Sequence, residues 1–341
     1  MSDTLYRSAV VGCGRIGMTM EEDPKQIKPA THARAFSNHP RVTLAGLVDI
    51  DPAKLAHARE CFPDISTFLD AGEMLGSVNP NIVSVATPPA YHRAVVELCA
   101  LGGVKAIICE KPIAETREDA EEMVDLCARR ESLLFINHVR RFDPMIREAR
   151  AEVISGSIGQ VLQATCYYTA GLWNTGTHVV DLLRFFLGEV SWVLAVPNDG
   201  ASHPPGDVSV DAIVGFVSGA RATLQSLEVG DYSIFDIRFY GRKGSLVLTR
   251  FGYEIERTGV VSRSDVSGYN ELDGVGKKRE GEPRSFMAFM VNHVVDCLDG
   301  CDHPVSRGEE GLAVLEILLA LRESAARGGI RVDLSSARLC S

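Results

Sequence analysis

A glycine-rich turn near the N-terminus constrains the fold more than any other feature of the sequence. The segment Gly12-Cys13-Gly14-Arg15-Ile16-Gly17 directly follows the apolar run RSAVV, a context typical of dinucleotide-binding folds. The first two glycines permit a tight turn and close approach of a pyrophosphate, and the third lets a helix pack against the strand. The turn therefore predicts cofactor contacts from Gly12, Gly14, Arg15, Ile16 and Gly17.

The residues after this turn interrupt the helix that should follow it. Pro24 and Pro29 cannot lie in a helix interior, whereas Thr31 is a suitable N-cap. We therefore expect an inserted loop over residues 18–30 and a helix that begins near residue 31. Two roles for the loop stay open: a flap that covers the cofactor or reaches the substrate, and a passive surface loop.

An aspartate follows the second apolar run. Asp49 comes directly after VTLAGLV, where a carboxylate can accept hydrogen bonds from an adenosine ribose and repel a 2′-phosphate. This position predicts NAD as the cofactor in preference to NADP. The alternative is that residues 49–52 merely begin the next helix.

Two hydrophobic patterns follow one another along the chain. Up to about residue 137, apolar runs alternate with helical segments, which predicts βαβ units and a parallel sheet. Beyond about residue 158, strand patterns follow one another with glycine-containing turns, which indicates an antiparallel sheet. Helical periodicity returns over 285–300 and 308–328, and we expect these helices to cover one face of that sheet. The polar segment 262–284 is expected to be a surface loop.

Composition excludes several classes of partner. The 341 residues carry a net charge of −10 without a block of basic residues, so we expect no nucleic-acid or membrane surface and a small-molecule substrate. No apolar run reaches the roughly 18 residues of a membrane span, and the N-terminus lacks a signal pattern. The nine cysteines are scattered, with no zinc-site spacing, so we predict no metal site and a reducing cytoplasm.

Four further segments carry a family resemblance. They are VATPPAYH (85–92), CEKPIA (109–114), HVRRFDP (138–144) and GLWNTGTHVVDLLRFFLG (171–188). In this order, and together with the glycine turn, they resemble the Gfo/Idh/MocA family of oxidoreductases. The resemblance implies an α/β protein with a Rossmann NAD-binding domain over 1–137. It implies a second α/β domain over 138–341, with a large, mostly antiparallel sheet that binds substrate and forms homodimers or homotetramers.

The resemblance also assigns catalytic roles. It places Lys111 beside the nicotinamide and the substrate, and it makes His178 the acid/base. An imidazole titrates near neutral pH and can accept the hydroxyl proton, and a nearby ammonium group stabilises the developing alkoxide. Further cofactor contacts are implied for Thr87, Pro88, His92 and Glu110. Arg141, at the domain junction, is a candidate contact to cofactor or substrate.

Other polar residues near the motifs have open roles. Asn174 stands four residues before His178, where family members with a DxGxH arrangement have aspartate, so we expect it to position substrate without adding charge. Asp181 either orients the imidazole or pairs locally, for example with Arg184, and Tyr168 is the alternative base. We assign structural or peripheral roles to His32, His39, His57 and His138.

Together these features predict an NAD-dependent dehydrogenase. Its substrate is expected to be a secondary hydroxyl of a sugar, amino sugar, nucleotide sugar or cyclitol. Two alternatives stay open: a ketosugar reductase in a biosynthetic pathway, and a regulator that binds a dinucleotide without turnover.

Overall fold

Six short apolar segments form a parallel sheet in the first part of the protein. The computed structural model describes residues 4–334. The strands are β1 (Tyr6–Val11), β2 (Val42–Val48), β3 (Ser66–Phe68), β4 (Ile82–Val85), β5 (Ala106–Cys109) and β6 (Leu133–Ile136). They lie in the order β3-β2-β1-β4-β5-β6, and all neighbouring pairs are parallel. The strand order therefore reverses between β1 and β4, where open α/β sheets bind ligands.

Helices connect these strands as the alternating pattern predicts. They are α1 (His32–Asn38), α2 (Pro52–Cys61), α3 (Ala71–Val78), α4 (His92–Leu101) and α5 (Arg117–Arg129). The central strands β4 and β5 are buried at every position, as expected of a parallel sheet with helices on its faces.

A second sheet of ten strands follows helix α6 (Pro144–Ile154). The remaining elements of this part are β7 (Val161–Thr169), α7 (Thr177–Leu187), β8 (Val190–Pro197), β9 (Val210–Phe216), β10 (Arg221–Leu227), β11 (Phe235–Gly241), β12 (Gly244–Thr249), β13 (Glu254–Ser262), β14 (Asn270–Leu272) and β15 (Lys278–Glu280). After them come α8 (Phe286–Leu298), α9 (Gly308–Ala326) and β16 (Val332–Asp333). The main strand order is β14-β13-β12-β11-β7-β10-β9-β8-β16, and β15 pairs with β13.

The second sheet has one buried and one partly exposed face. Its strands pair antiparallel except for the parallel pair β7 and β10. Side chains alternate across a pleated strand, and one cross-strand row, Ala212, Leu224, Cys166, Ile237, Leu248 and Ile255, is buried throughout. The predicted fold class, a Rossmann domain plus a large, mostly antiparallel sheet, is confirmed.

Helix α8 corrects one expectation. The sequence pattern placed it over the antiparallel sheet, but its Met290, Val291 and Val294 share an apolar core with Phe36 and Phe135 of the parallel-sheet part. The described residues accordingly form two compact units, one of residues 4–143 with 284–315 and the other of 144–283 with 316–334. The predicted functional domains, 1–137 and 138–341, stay a proposal.

The segment 262–284 also differs from its expected loop structure. It contains the short strands β14 and β15, which both pair with β13. Their residues are exposed, so the prediction that this polar segment lies on the surface is confirmed. The backbone nevertheless pairs with the free edge of β13, which composition alone does not reveal.

Candidate active site

The three glycines of the N-terminal turn differ in what a side chain at each position would meet. Gly12 has a positive φ of 103°, and a Cβ there would lie 2.6 Å from the carbonyl oxygen of Ala86. A Cβ on Gly17 would collide with the carbonyl oxygen of Gly12. A Cβ on Gly14 would meet no atom within 4 Å, so the protein itself does not require glycine there. The open space beside Gly14 would let a pyrophosphate approach the protein backbone closely.

Asp49 supports the glycine turn directly. Its Oδ2 accepts a hydrogen bond from the amide of Cys13 at 2.9 Å, and its Oδ1 accepts one from the amide of Asp51 at 3.0 Å. Lys54 Nζ lies 3.4 Å from Oδ2. Asp51, not Asp49, is the N-cap of α2, through the amide of Ala53. Asp49 therefore belongs to the turn, and its contact with the ribose stays a prediction.

The segment after β4 is held by a buried histidine. His92 Nε2 lies 2.9 Å from the carbonyl oxygen of Thr87, and Nδ1 lies 3.1 Å from those of Pro112 and Ile113. These contacts join the loop after β4 to the loop that follows Lys111. His92 thus positions Thr87 and Pro88 rather than presenting a free ring nitrogen. Its cofactor-binding role stays a prediction.

A buried hydroxyl marks the same edge of the sheet. Among residues 4–334, the structure provides no hydrogen-bond partner for Thr87 Oγ1, which is inaccessible to solvent. Buried polar groups are normally hydrogen-bonded, and Thr87 follows β4 at the point where the strand order reverses. The open space at Gly14 and this hydroxyl both fit a bound dinucleotide.

Glu110, which precedes Lys111, lies in a buried polar cluster. Its Oε1 is 2.9 Å from His32 Nε2 and 2.5 Å from Asn137 Nδ2, and its Oε2 accepts the amide of Lys111 at 3.3 Å. Burial favours the neutral acid, but hydrogen bonds from His32 and Asn137 and the charge of Lys111 outweigh it and lower the pKa of Glu110 to about 2. The cofactor contact of Glu110 stays a prediction.

The insertion after the glycine turn leaves the helix geometry intact. Met18 N and Thr19 N bond to Gly14 O, and then His32 N bonds to Ile16 O and Ala33 N to Gly17 O at 3.1 and 3.0 Å. Helix α1 therefore continues the turn as if the intervening residues were absent. Thr31 is its N-cap and accepts a hydrogen bond from the amide of Arg34. The predicted loop and the predicted helix start are confirmed.

In the second unit, His178 lies in the first turn of α7, directly after a π-helical turn over Leu172–Gly176. Asp207 holds this turn. Its carboxylate accepts the amides of Trp173 at 2.9 Å and Asn174 at 3.0 Å. Asn174 itself is exposed. Position 174 thus lacks the family's aspartate side chain, but the carboxylate of Asp207 holds the backbone amide of Asn174.

Three other candidates have defined surroundings. Arg184 pairs with Glu189, so the proposed pair with Asp181 is not the arrangement found. Tyr168 is fully buried, and its hydroxyl exchanges hydrogen bonds with the backbone of Val210. Burial raises the pKa of Tyr168 above its ordinary range, which argues against it as the base. Arg141 is buried and donates to the carbonyl oxygen of Val305 at 3.2 Å; its ligand contact stays a prediction.

Sequence reasoning missed His32, Asn137 and Asp207. His32 was assigned a structural role without its link to Glu110. The available signal was the interrupted helix: when 12 residues are removed after Thr19, His32 follows the glycine turn at normal helical spacing. Asn137 and Asp207 carry no local motif, and only tertiary contact identifies them.

Comparison with known proteins settles the family. Residues 6–138 match the model described as an oxidoreductase family with an NAD-binding Rossmann fold, and residues 146–247 match the GFO/IDH/MocA C-terminal domain. The chain belongs to the Gfo/Idh/MocA family. It is an NAD-dependent oxidoreductase, as the sequence predicts.

The relatives and solved structures cover from 70% to almost all of this chain. D-apiose dehydrogenase of Rhizobium rhizogenes is 26% identical and covers 96% of this chain and 97% of its own length. Inositol 2-dehydrogenase of Rhizobium meliloti is 29% identical over 70% of this chain and 74% of its own. The WlbA dehydrogenase of Bordetella pertussis, solved with NADH and UDP-GlcNAcA, shares the fold with a TM-score of 0.79 at 22% identity, covering 98% of this chain and 99% of its own.

None of the helices within residues 4–334 combines the length and apolar character that a bilayer crossing requires.

Proposed function

We propose that the protein oxidises a secondary hydroxyl of a sugar or cyclitol with NAD⁺. The observation that carries the proposal is the sheet edge itself. Three residues follow the carboxyl ends of parallel strands, which form the ligand edge of such sheets. They are Gly14, with open space beside it, Thr87, with a buried hydroxyl, and Lys111, which follows β5. The similarity to D-apiose and inositol dehydrogenases supports a polyol or sugar substrate.

The catalytic roles follow from the chemistry of the side chains. Bound NAD⁺ supplies the hydride acceptor. His178 accepts the hydroxyl proton, and Lys111 stabilises the negative charge that develops on the oxygen. Asn174 positions a substrate hydroxyl with its amide group, which can donate or accept a hydrogen bond. Substrate choice among sugars, amino sugars, nucleotide sugars and cyclitols lies in the loops around these residues.

A substrate panel tests this function. Purified protein is assayed with NAD⁺ and a set of aldoses, amino sugars, sugar nucleotides and cyclitols, and NADH formation is followed by absorbance. The reverse assay uses NADH and the corresponding ketones. We expect the wild type to oxidise at least one compound of the panel. The Lys111→Ala variant should not oxidise that compound. Tight NAD binding without turnover on any member would instead favour the non-catalytic regulator.

Cofactor preference gives a quantitative prediction. Asp49→Ser removes a carboxylate that would repel a 2′-phosphate, and it frees Lys54, 3.4 Å away, to meet that phosphate. A charge pair at this range near a surface is worth about 1 to 4 kcal/mol, so we expect kcat/KM for NADP⁺ relative to NAD⁺ to rise about tenfold or more. Steady-state kinetics with both cofactors measures the ratio.

Asp51→Ser is the matched control for this change. It removes the same charge two residues away, and serine still caps a helix, so helix α2 keeps its N-cap. An unchanged cofactor ratio in Asp51→Ser and a raised ratio in Asp49→Ser support the assignment. Equal wild-type efficiency with NAD⁺ and NADP⁺ contradicts it.

The partly exposed face of the large sheet is our proposed homodimer or homotetramer surface. One cross-strand row on this face consists of Ile213, Thr223, Thr165, Arg238, Val247 and Glu256. Ile213 and Tyr240 are 39% and 37% exposed, and mixed apolar and polar rows of this kind are typical of subunit interfaces.

The oligomer prediction can be checked by light scattering after size exclusion. We expect a dimer or tetramer for the wild type and a smaller species for Ile213→Asp, because burying an unpaired carboxylate disfavours association. Val275→Asp is the control, since Val275 is fully exposed in the same unit. A monomeric wild type would overturn the proposal.

A cytoplasmic location is proposed from the cysteines. None of the eight that lie within residues 4–334 forms a disulfide there, and six of them are buried. Burial raises the pKa of Cys99 and Cys127 to about 12, which leaves inert thiols of the kind found in reducing compartments.

A further inference from the structure

Three metal-ligating side chains converge beside the insertion. Glu22 lies in the 3₁₀ turn that opens the loop, and His57 and Cys61 lie one turn apart on helix α2. The imidazole Nε2 of His57 contacts Glu22 Oε1 and lies 3.7 Å from Cys61 Sγ. One donor atom from each residue lies within 4.8 Å of the others.

The spacing of the histidine and cysteine donors matches a tetrahedral cation, whereas the Glu22 carboxylate lies closer to His57 than two ligands of one cation do. With zinc bonds of about 2.05 Å to nitrogen and 2.3 Å to sulfur, tetrahedral geometry separates the two donors by about 3.6 Å. The observed separation between His57 Nε2 and Cys61 Sγ is 3.7 Å. The Glu22 side chain is 55% exposed, so it can adjust its carboxylate without disturbing packed neighbours.

A second carboxylate occupies the position expected of an outer-sphere partner. Glu60 Oε2 lies 3.4 Å from Nδ1 of His57, the ring nitrogen that Glu22 and Cys61 do not contact. In metal sites the second ring nitrogen of a ligating histidine usually donates to such a carboxylate, which fixes the ring orientation. The two carboxylates beside this imidazole also carry two negative charges, which attract a dication.

We propose that Glu22, His57 and Cys61 bind one Zn²⁺-class cation that fastens the insertion to helix α2. Nitrogen, sulfur and oxygen donors together favour zinc over magnesium or calcium, and water completes the four ligands. The spacing of His57 and Cys61 alone indicated no such site, because the third ligand is 35 residues away from His57 in sequence. The cation restrains a loop that follows the glycine turn, so this role is independent of hydride transfer.

Cobalt binding provides the direct test. Untagged, chelator-treated protein is titrated with Co²⁺, whose complexes report tetrahedral geometry and thiolate ligation in their visible and near-ultraviolet absorption. We expect one Co²⁺ per chain with a thiolate charge-transfer band, and its displacement by Zn²⁺. His57→Ala and Cys61→Ser should each weaken binding at least about tenfold, and Glu22→Gln less.

The chain offers matched controls for both ligands. His303 and Cys301 are exposed elsewhere in the same unit, and His303→Ala and Cys301→Ser should keep full affinity. Hydrogen exchange over residues 18–30 gives a readout of the restraint: Zn²⁺ should slow it in the wild type and not in Cys61→Ser. Absence of the thiolate band in the wild type, or equal Co²⁺ affinity in Cys61→Ser, would overturn the proposal. Loss of affinity in the controls would overturn it equally.

Discussion

His178→Ala is expected to lower kcat by about 10² to 10⁴, because a positioned acid/base contributes rate enhancement of this size. Lys111→Ala should lower kcat at least as severely, since it removes the charge that we propose stabilises the alkoxide. Asn174→Ala should mainly raise KM, because an amide that positions substrate acts in ground state and transition state alike. Steady-state kinetics of the three variants on the substrate identified by the panel measures the split.

A lysine at the other end of the same strand controls for charge. Lys105 precedes β5 as Lys111 follows it, and it is exposed, so Lys105→Ala should keep wild-type kcat. We propose that Lys111 and His178 act on the same reacting oxygen, and the effects of such residues are non-additive. The double variant should therefore lose little kcat beyond the worse single variant. Near wild-type kcat in His178→Ala would refute the assignment.

Much of the site was predictable because its parts are local. The glycine turn, Asp49 and the EKP segment each occupy a strand end that hydrophobic periodicity locates. Parallel strands bring their carboxyl ends to one edge, so order along the chain translates into nearness at the sheet. The proline positions likewise predicted where the insertion ends and where helix α1 begins.

The remaining parts depend on packing that the sequence does not encode locally. Helix α8 has an apolar surface that suits either sheet, and only its fit against Phe36 and Phe135 decides its position. Asp207 supports the turn before His178 from a loop 33 residues beyond Asn174. His32 was not linked to Glu110 because the insertion conceals its helical spacing from the glycine turn.

His32→Ala is expected to destabilise the fold by about 1 to 3 kcal/mol, the usual cost when a buried polar group loses its hydrogen-bond partner. His32 is fully buried, and it is one of two donors to Glu110 Oε1 within the cluster. Urea unfolding at neutral pH measures the change. Ser37→Ala, on the exposed side of helix α1, is the control and should stay within about 0.5 kcal/mol of the wild type.

The pH dependence of this loss separates electrostatics from packing. The pKa of Glu110 is about 2 in the folded protein, below its ordinary value of 4.5. Its ionised form therefore stabilises the fold above about pH 4.5, and this contribution disappears as the pH falls towards 2. Without the His32 hydrogen bond the pKa of Glu110 rises, so the difference in unfolding free energy between wild type and His32→Ala should shrink between pH 5 and pH 3, estimated from this linkage. A difference that stays constant over that range would mean that the cavity, and not the buried carboxylate, accounts for the loss.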